Sequence, residues 1–390
     1  MIPLDRKKSL SVLLLAAFAT AMLWPLIFGG EVHMFRDFGR YYAPVKKAYL
    51  ERLAMGELCI WLPELNCGTP IHGSLVHAFL YPGNVLLFAG ESLGWGLYFA
   101  AHLFLAGLGA RALARKLGAE EEGAFAAAIA WAGSGYLVSQ LNHVPYATVA
   151  AWAPVIVTLG LSVAEGKRRA LPLLAVAFAM AALGGEPFTL LLTIVFLGIL
   201  VLAGGFGPRI PALLSIGGAG FVAILLASPT LLPAWDVVPE SARATGFEED
   251  LAGFGSVHPL RLVTVLSPES MGRYQHRFSL VQSLFGREFL LEAHILLGLW
   301  FGAVGLIALP QAPVRRSRAA RVLGITAGVC VLLSFGDYLG LAPLITKAVP
   351  GLSRFRYADK YWFIVALAAA PLIGLALPAL RRRPGLILAG

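Results

Sequence analysis

Charged residues are scarce in this chain: Asp, Glu, Lys and Arg make up only 14% of its 390 residues, against about 25% in soluble globular proteins. That shortage leaves too little polar coat for a soluble enzyme. It also excludes a disordered chain, which needs low hydrophobicity and high charge. Cysteine is scarcer still, with three residues, so a disulfide scaffold is excluded. A phosphate-cradling glycine-rich loop at a strand-to-helix turn is missing too, which speaks against a soluble nucleotide-binding fold. The net charge of +9 is dispersed along the chain, so no nucleic-acid footprint forms and no nucleic-acid partner is expected. What abounds is apolar: 58% of residues are hydrophobic and the mean hydropathy is +0.75. The expected class is an all-α, polytopic integral membrane protein whose first partner is the lipid bilayer.

A bilayer core about 30 Å thick needs roughly 20 apolar residues per spanning helix. Ten spans are predicted, at residues 9–29, 93–113, 122–138, 146–164, 170–184, 187–205, 210–234, 290–309, 321–340 and 361–380. The fifth and sixth are separated only by Gly184-Gly185-Glu186-Pro187, which implies a tight helical hairpin. Asp5-Arg6-Lys7-Lys8 precedes the first span as in a signal peptide. Its apolar run is long and lacks a small-x-small cleavage site, so a retained anchor is expected. Alternate short connections carry Arg6 to Lys8, Arg111, Arg115, Lys116, Lys167 to Arg169, Arg209, Arg315, Arg316, Arg318, Arg321 and Arg381 to Arg383. By the positive-inside rule that side is cytoplasmic, and both ends of the chain lie there. The expected location is the bacterial cytoplasmic membrane.

Long connections then fall outside, at residues 30–92, 235–289 and 341–360, so chemistry is expected on the outer face of a single domain covering residues 1–390. The run from Arg381 to Gly390 reads as the start of another span, as in a fragment of a longer protein. In the first outer loop, Pro44 suits the first turn of a helix. The segment to Met55 places Val45, Ala48, Tyr49, Arg52 and Leu53 at helical spacing, with Lys46, Lys47 and Glu51 around the remainder. A short amphipathic helix in the outer interface is expected. Gly, Pro and Asn then punctuate ordered turns, with Trp61 and Tyr81 suited to the headgroup level.

The order of a first span, an acidic residue just outside it, an interfacial helix and a G-x-x-x-x-W…G-x-P…Y-P-x-N pattern resembles the bacterial YfhO-like membrane protein family. That family lies within the GT-C superfamily of glycosyltransferases. The matching residues are Gly56, Trp61, Gly68, Pro70, Tyr81, Pro82 and Asn84, and the segment Ser353 to Tyr361 before the tenth span is also similar. The resemblance implies transfer of a sugar from a polyprenyl-phosphate-linked donor to an extracytoplasmic glycan, lipid or protein acceptor, with inversion at the anomeric carbon.

The residues suit that chemistry. An acceptor hydroxyl is a poor nucleophile, and a carboxylate in hydrogen-bond reach can take its proton. Asp37 is the candidate general base, the alternative being a solvated loop charge beside Arg36 and Arg40. The departing lipid phosphate calls for cationic partners, and Arg354, Arg356 and Lys360 are candidates, or else a basic anchor snorkelling to headgroups. Glu186, a carboxylate between apolar spans, is a candidate second acid or a metal partner of Asp37, or a hairpin tip that reaches water. A divalent metal ion is therefore a possible cofactor, and none is certain. His143, in the turn from Gln140 to Tyr146, and Arg40 are candidate sugar or phosphate contacts. Tyr42, Trp61 and Tyr81 could stack on a sugar face or form an aromatic belt.

His72 and His77 match no zinc signature. Cys59 and Cys67 are spaced so that a bridge could pin the Trp61 turn, or they stay as two thiols. Glu240, Arg261, His258 and their neighbours in the second long loop suit acceptor recognition or a plain solvated loop, and Trp235-Asp236 could adjoin the site. The rival readings are a transporter or lipid flippase, whose charges would lie mid-span, and a non-catalytic membrane assembly protein.

Overall fold

The computed structural model describes residues 4–241, 244, 255–268, 270, 298–349, 351–355 and 358–381. Arg356, most of the second long loop and the beginning of the predicted eighth span lie outside these residues. The described chain is mostly helical, and its strands form one two-stranded hairpin, β1 (Trp61–Leu62) and β2 (Thr69–Pro70), paired antiparallel. It divides into two units: residues 1–113 with 140–241, and residues 114–139 with 242–390.

The first unit opens with α1 (Leu4–Met22) and the single turn α2 (Trp24–Ile27). A π-turn at Phe38–Tyr42 then runs directly into α3 (Ala43–Ala54). After the hairpin and a 3₁₀ segment at Pro82–Ala89 comes α4 (Glu91–Lys116). The long apolar helices of this unit are α7 (Val144–Ala164), α8 (Ala170–Leu183), α9 (Pro187–Ala203) and α10 (Arg209–Val237), with α7 packed on α8, α9 and α10. Helix α7 is the inner one. Ala150, Ala151, Ala153, Ile156 and Val157 are fully enclosed, and its many alanines let neighbouring backbones approach closely, which is how helices associate where lipid is as apolar as leucine. Helix α10 is the opposite case: only 28% of its apolar stretch is buried, against 72% in α7. Leu214, Phe221 and Leu232 stand more than half exposed, a surface that fits hydrocarbon and not water.

The first loop carries a small core of its own. Val45 and Tyr49 of α3 pack with Cys59, Leu62, Ile71 and Phe79. A helix thus stands where Pro44 and the apolar spacing predict one, but Lys46 faces inward with 3% exposure, contrary to its expected place among the outward charges. Two contacts tie this loop to the helices. Pro233, lacking an N–H, leaves the Pro229 carbonyl in α10 without its i+4 donor, and His72 Nε2 lies 2.9 Å from that oxygen. Gly185, at φ +88°, lies so close to the Leu75 carbonyl that a Cβ would collide with it, so the hairpin between α8 and α9 abuts the loop.

The second unit contains α5 (Glu121–Ala132), α6 (Gly135–Ser139), α11 (Gly302–Ala308), α12 (Arg318–Ser334), α13 (Leu341–Ala348) and α14 (Trp362–Arg381). Helix α14 is its core and packs on α5 and α12. Gly123 and Gly374 let α5 and α14 cross backbone to backbone, since a Cβ on Gly374 would stand 2.6 Å from the Gly123 carbonyl oxygen. Trp131 and Tyr136 close on Phe363, with ring centroids 6.0 and 5.6 Å away.

Five helical stretches among the described residues are long and apolar enough to cross a membrane: Glu91–Lys116, Glu121–Asn142, Val144–Ala164, Arg209–Glu240 and Ala358–Arg381. The expectation of ten full spans is not matched there. Helix α8 has 14 residues and is about 21 Å long at 1.5 Å per residue, short of a 30 Å core. The polar start of α1 likewise withholds four residues from its apolar run.

Candidate active site

Asp37 is the residue before the π-turn. It follows Arg36, held at φ +39°, a left-handed conformation that is costly for a non-glycine residue. Phe38 anchors the turn, with no exposed surface and its ring edge-on to Trp95 at 4.7 Å. The Phe38 amide meets the Asn142 Oδ1 at 3.4 Å, across 104 residues of sequence. Beside it, His143 Nε2 lies 3.2 Å from Asp37 Oδ2. His143 caps the N-terminus of α7 without a side-chain bond to that helix, so its ring is free to turn towards the carboxylate. The turn from Gln140 to His143 therefore grips the segment after the first span at two adjacent residues.

The hydrogen bond from His143 holds the Asp37 carboxyl below its usual range; partial burial opposes this, and the His143, Arg36 and Arg40 charges add to the lowering. At neutral pH Asp37 is thus an ionised acceptor. Its side chain is 54% exposed and that of His143 21%, so the carboxylate is the member of the pair that a second molecule can reach. Around it, Asn142 Nδ2, His143 Nδ1 and His33 Nε2 are buried without a hydrogen-bond partner. His33 packs against Phe38 with ring centroids 5.0 Å apart, and burial lowers its basicity. Buried polar atoms ordinarily have partners, so these three mark places where a water or substrate oxygen is wanted. Chemically, the arrangement offers one accessible carboxylate, one imidazole that fixes its orientation, and nearby polar atoms for hydroxyl or phosphoryl oxygens. Among the described residues no group of three or more His, Cys, Asp or Glu side chains could hold a metal ion. Asp37 and His143 alone would supply two ligands.

Arg40 is exposed on the π-turn, and Tyr42 is buried edge-on to Tyr41. Trp61, on β1, is 53% exposed. Tyr81 departs from its expected place at the headgroup level or on a sugar face. It is 4% exposed, its hydroxyl lies 2.7 Å from His102 Nε2 and accepts a bond from Trp152 Nε1 at 3.0 Å, and burial pushes its phenol up to about 12. Glu186 is buried and caps α9 by accepting the Thr189 amide. Arg354 is exposed on the turn Leu352–Arg354, and Lys360 is buried in the turn Ala358–Tyr361. Arg356 lies outside the described residues. Cys59 and Cys67 are free thiols. Two residues escaped the sequence reading. In the sequence Lys46 reads as one of the charges around the remainder of the helix, and Arg261 as part of a mixed-charge loop. Arg261 is 5% exposed, and burial pushes its guanidinium down to about 10 against the pull of Asp359.

The fold of this chain has a counterpart among solved structures. It is similar to the oligosaccharyltransferase AglB from the archaeon Archaeoglobus fulgidus, solved in complex with an inhibitory peptide and a dolichol-phosphate. The TM-score is 0.52 and the identity 17%, over 97% of this chain and 51% of that one. The same organism's oligosaccharyltransferase in the apo form aligns at a TM-score of 0.48 and 16% identity, over 97% and 51% of the two chains. The form tethered to an acceptor peptide containing the NVT sequon aligns at 0.47 and 14%, over 96% and 50%. The likeness is one of fold, and this chain spans about half the length of the solved structures it matches. No family model and no curated protein matches the sequence.

Proposed function

We propose that this chain is a membrane glycosyltransferase, moving a sugar from a polyprenyl-phosphate-linked donor to an acceptor outside the cytoplasm with inversion. Asp37 is the general base. The observation that carries this reading is the Asp37–His143 pair, an ionised and reachable carboxylate oriented by an imidazole beside unsatisfied polar groups. In the reaction, the acceptor oxygen attacks the anomeric carbon and gives its proton to Asp37. The bond from that carbon to the phosphate oxygen breaks, and the lipid phosphate leaves with the electron pair. Arg354, Arg356 and Lys360 serve as cationic partners of the leaving phosphate, and Arg40 and His33 as contacts to the bound glycan. Glu186 holds the α8–α9 hairpin in shape. The likeness to a structure that holds a dolichol-phosphate and a peptide supports a lipid-linked donor and an external acceptor as the class of partner. The charge distribution supports a bacterial cytoplasmic membrane location, with both ends of the chain inside and the site outside. The α3 helix is assigned to the outer interface on the same ground.

The test is Asp37→Asn in purified protein supplied with polyprenyl-phosphate sugars. Loss of transfer by about 10²- to 10⁴-fold, with the thermal melt lowered by no more than about 2–4 °C, is the expected result. Undiminished transfer removes Asp37 from the chemistry. Uptake of the lipid-linked sugar across a vesicle membrane without any transfer would instead favour the flippase.

A further inference from the structure

A cleft of about 420 Å³ opens between α3, the Pro82–Ala89 turn and the head of α4, within the range of ordinary ligand sites. Its walls are apolar where Leu50, Leu87, Phe88 and Trp95 line it. Its charges are arranged unevenly. Lys46 lines the inner wall with 3% exposure, and its ammonium donates to the Ala78 carbonyl at 3.0 Å and to Asn84 Oδ1 at 2.8 Å, both neutral acceptors. No carboxylate pairs with it among the described residues, and an uncompensated buried cation is costly unless an anion answers it. At the rim stand two exposed carboxylates, Glu51 and Glu91, the latter loosely paired with Lys47 at 3.8 Å.

We propose that this cleft binds the head of an aminophospholipid, with the phosphate turned in to Lys46 and the primary amine turned out to Glu51 and Glu91. Position argues for a lipid over a soluble anion. The cleft lies at the end of a helix long and apolar enough to span the bilayer, where headgroups are the most abundant polar ligand. Exposed Phe88 and Val85 continue the apolar wall beside it. A phosphodiester alone would satisfy Lys46 and leave the rim carboxylates repelling it; a head with both charges satisfies each in place. The groups that face Lys46 do not compete for it. His77 is kept neutral by burial and by Lys46 itself, with its basicity lowered to about 3, and the Phe79 ring, 5.6 Å from the ammonium, carries no full charge. Burial pushes the Lys46 ammonium down to about 7, so an inbound phosphate would also draw a proton to it.

Full-length protein in detergent is titrated with phosphatidylethanolamine, phosphatidylcholine or phosphatidylglycerol, and the lipid retained is read by native mass spectrometry and by the thermal melt. Phosphatidylethanolamine should be retained about tenfold more tightly than either other lipid. Lys46→Met should erase the preference, and Glu51→Gln with Glu91→Gln should shift it towards phosphatidylglycerol. Should Lys46→Met fail to fold, Ala54→Trp, an exposed position on the cleft wall, must block retention of all three lipids. Equal retention of the three lipids overturns the proposal. So does retention unaffected by Ala54→Trp, which would mean that the lipid sits elsewhere, and so does inorganic phosphate competing as well as the lipid, which would make this a free-anion site.

Discussion

Removing the imidazole from the Asp37–His143 pair is the most direct probe of the candidate site. A hydrogen bond to a charged group is worth about 1.5–3 kcal/mol when fully shielded. The Asp37 side chain is 54% exposed, so water screens much of this, and about 0.5–1 kcal/mol of coupling should remain. A double-mutant cycle of Asp37→Asn and His143→Ala, read by thermal unfolding in detergent, isolates that coupling from what each residue does alone. The pH dependence gives the sign. The folded Asp37 carboxyl sits below its ordinary value of 3.8, so the stabilisation is present in full above that value. It disappears as pH falls through the lowered folded value. The carboxylate's part in the coupling should therefore persist from pH 7 down to pH 5 and decay only in strong acid. A coupling of zero at pH 7 would refute the pairing, and one that vanished between pH 6 and 5 would assign it to a group other than this carboxylate.

Lys46, depressed to about 7 in the folded chain, binds fewer protons there than in the unfolded chain between that pH and its ordinary 10.5. Stability should accordingly rise with pH across this interval in lipid-free protein, and Lys46→Met should flatten the slope of melting temperature against pH. Gly374→Ala should cost about 1–3 kcal/mol in unfolding experiments, because the added methyl meets the Gly123 carbonyl where α5 and α14 cross. Glu186→Ala should cost about 1 kcal/mol through the lost cap of α9, with transfer falling no further than stability does; a selective loss of transfer would move Glu186 into the chemistry.

Composition and periodicity alone determined the helical, membrane-embedded class, because apolar length and scarcity of charge are properties of the chain and not of its packing. They also singled out Asp37 and His143 separately, each as a polar residue in a turn beside an apolar run. Only the tertiary structure joined the two, since nothing local to residue 37 encodes the approach of the turn before α7. The same holds for Lys46. Its neighbours on α3 read as a mixed surface, whereas its burial depends on Asn84, 38 residues away, bringing an acceptor to the inner side of the helix. Tyr81 and Glu186 changed place for a related reason: a tyrosine or carboxylate in a turn is exposed by default until another element supplies its partners, as His102 and Trp152 do for the one and the Thr189 amide does for the other. Hydrophobic pattern is written along the chain, but polar satisfaction is settled between segments distant in sequence.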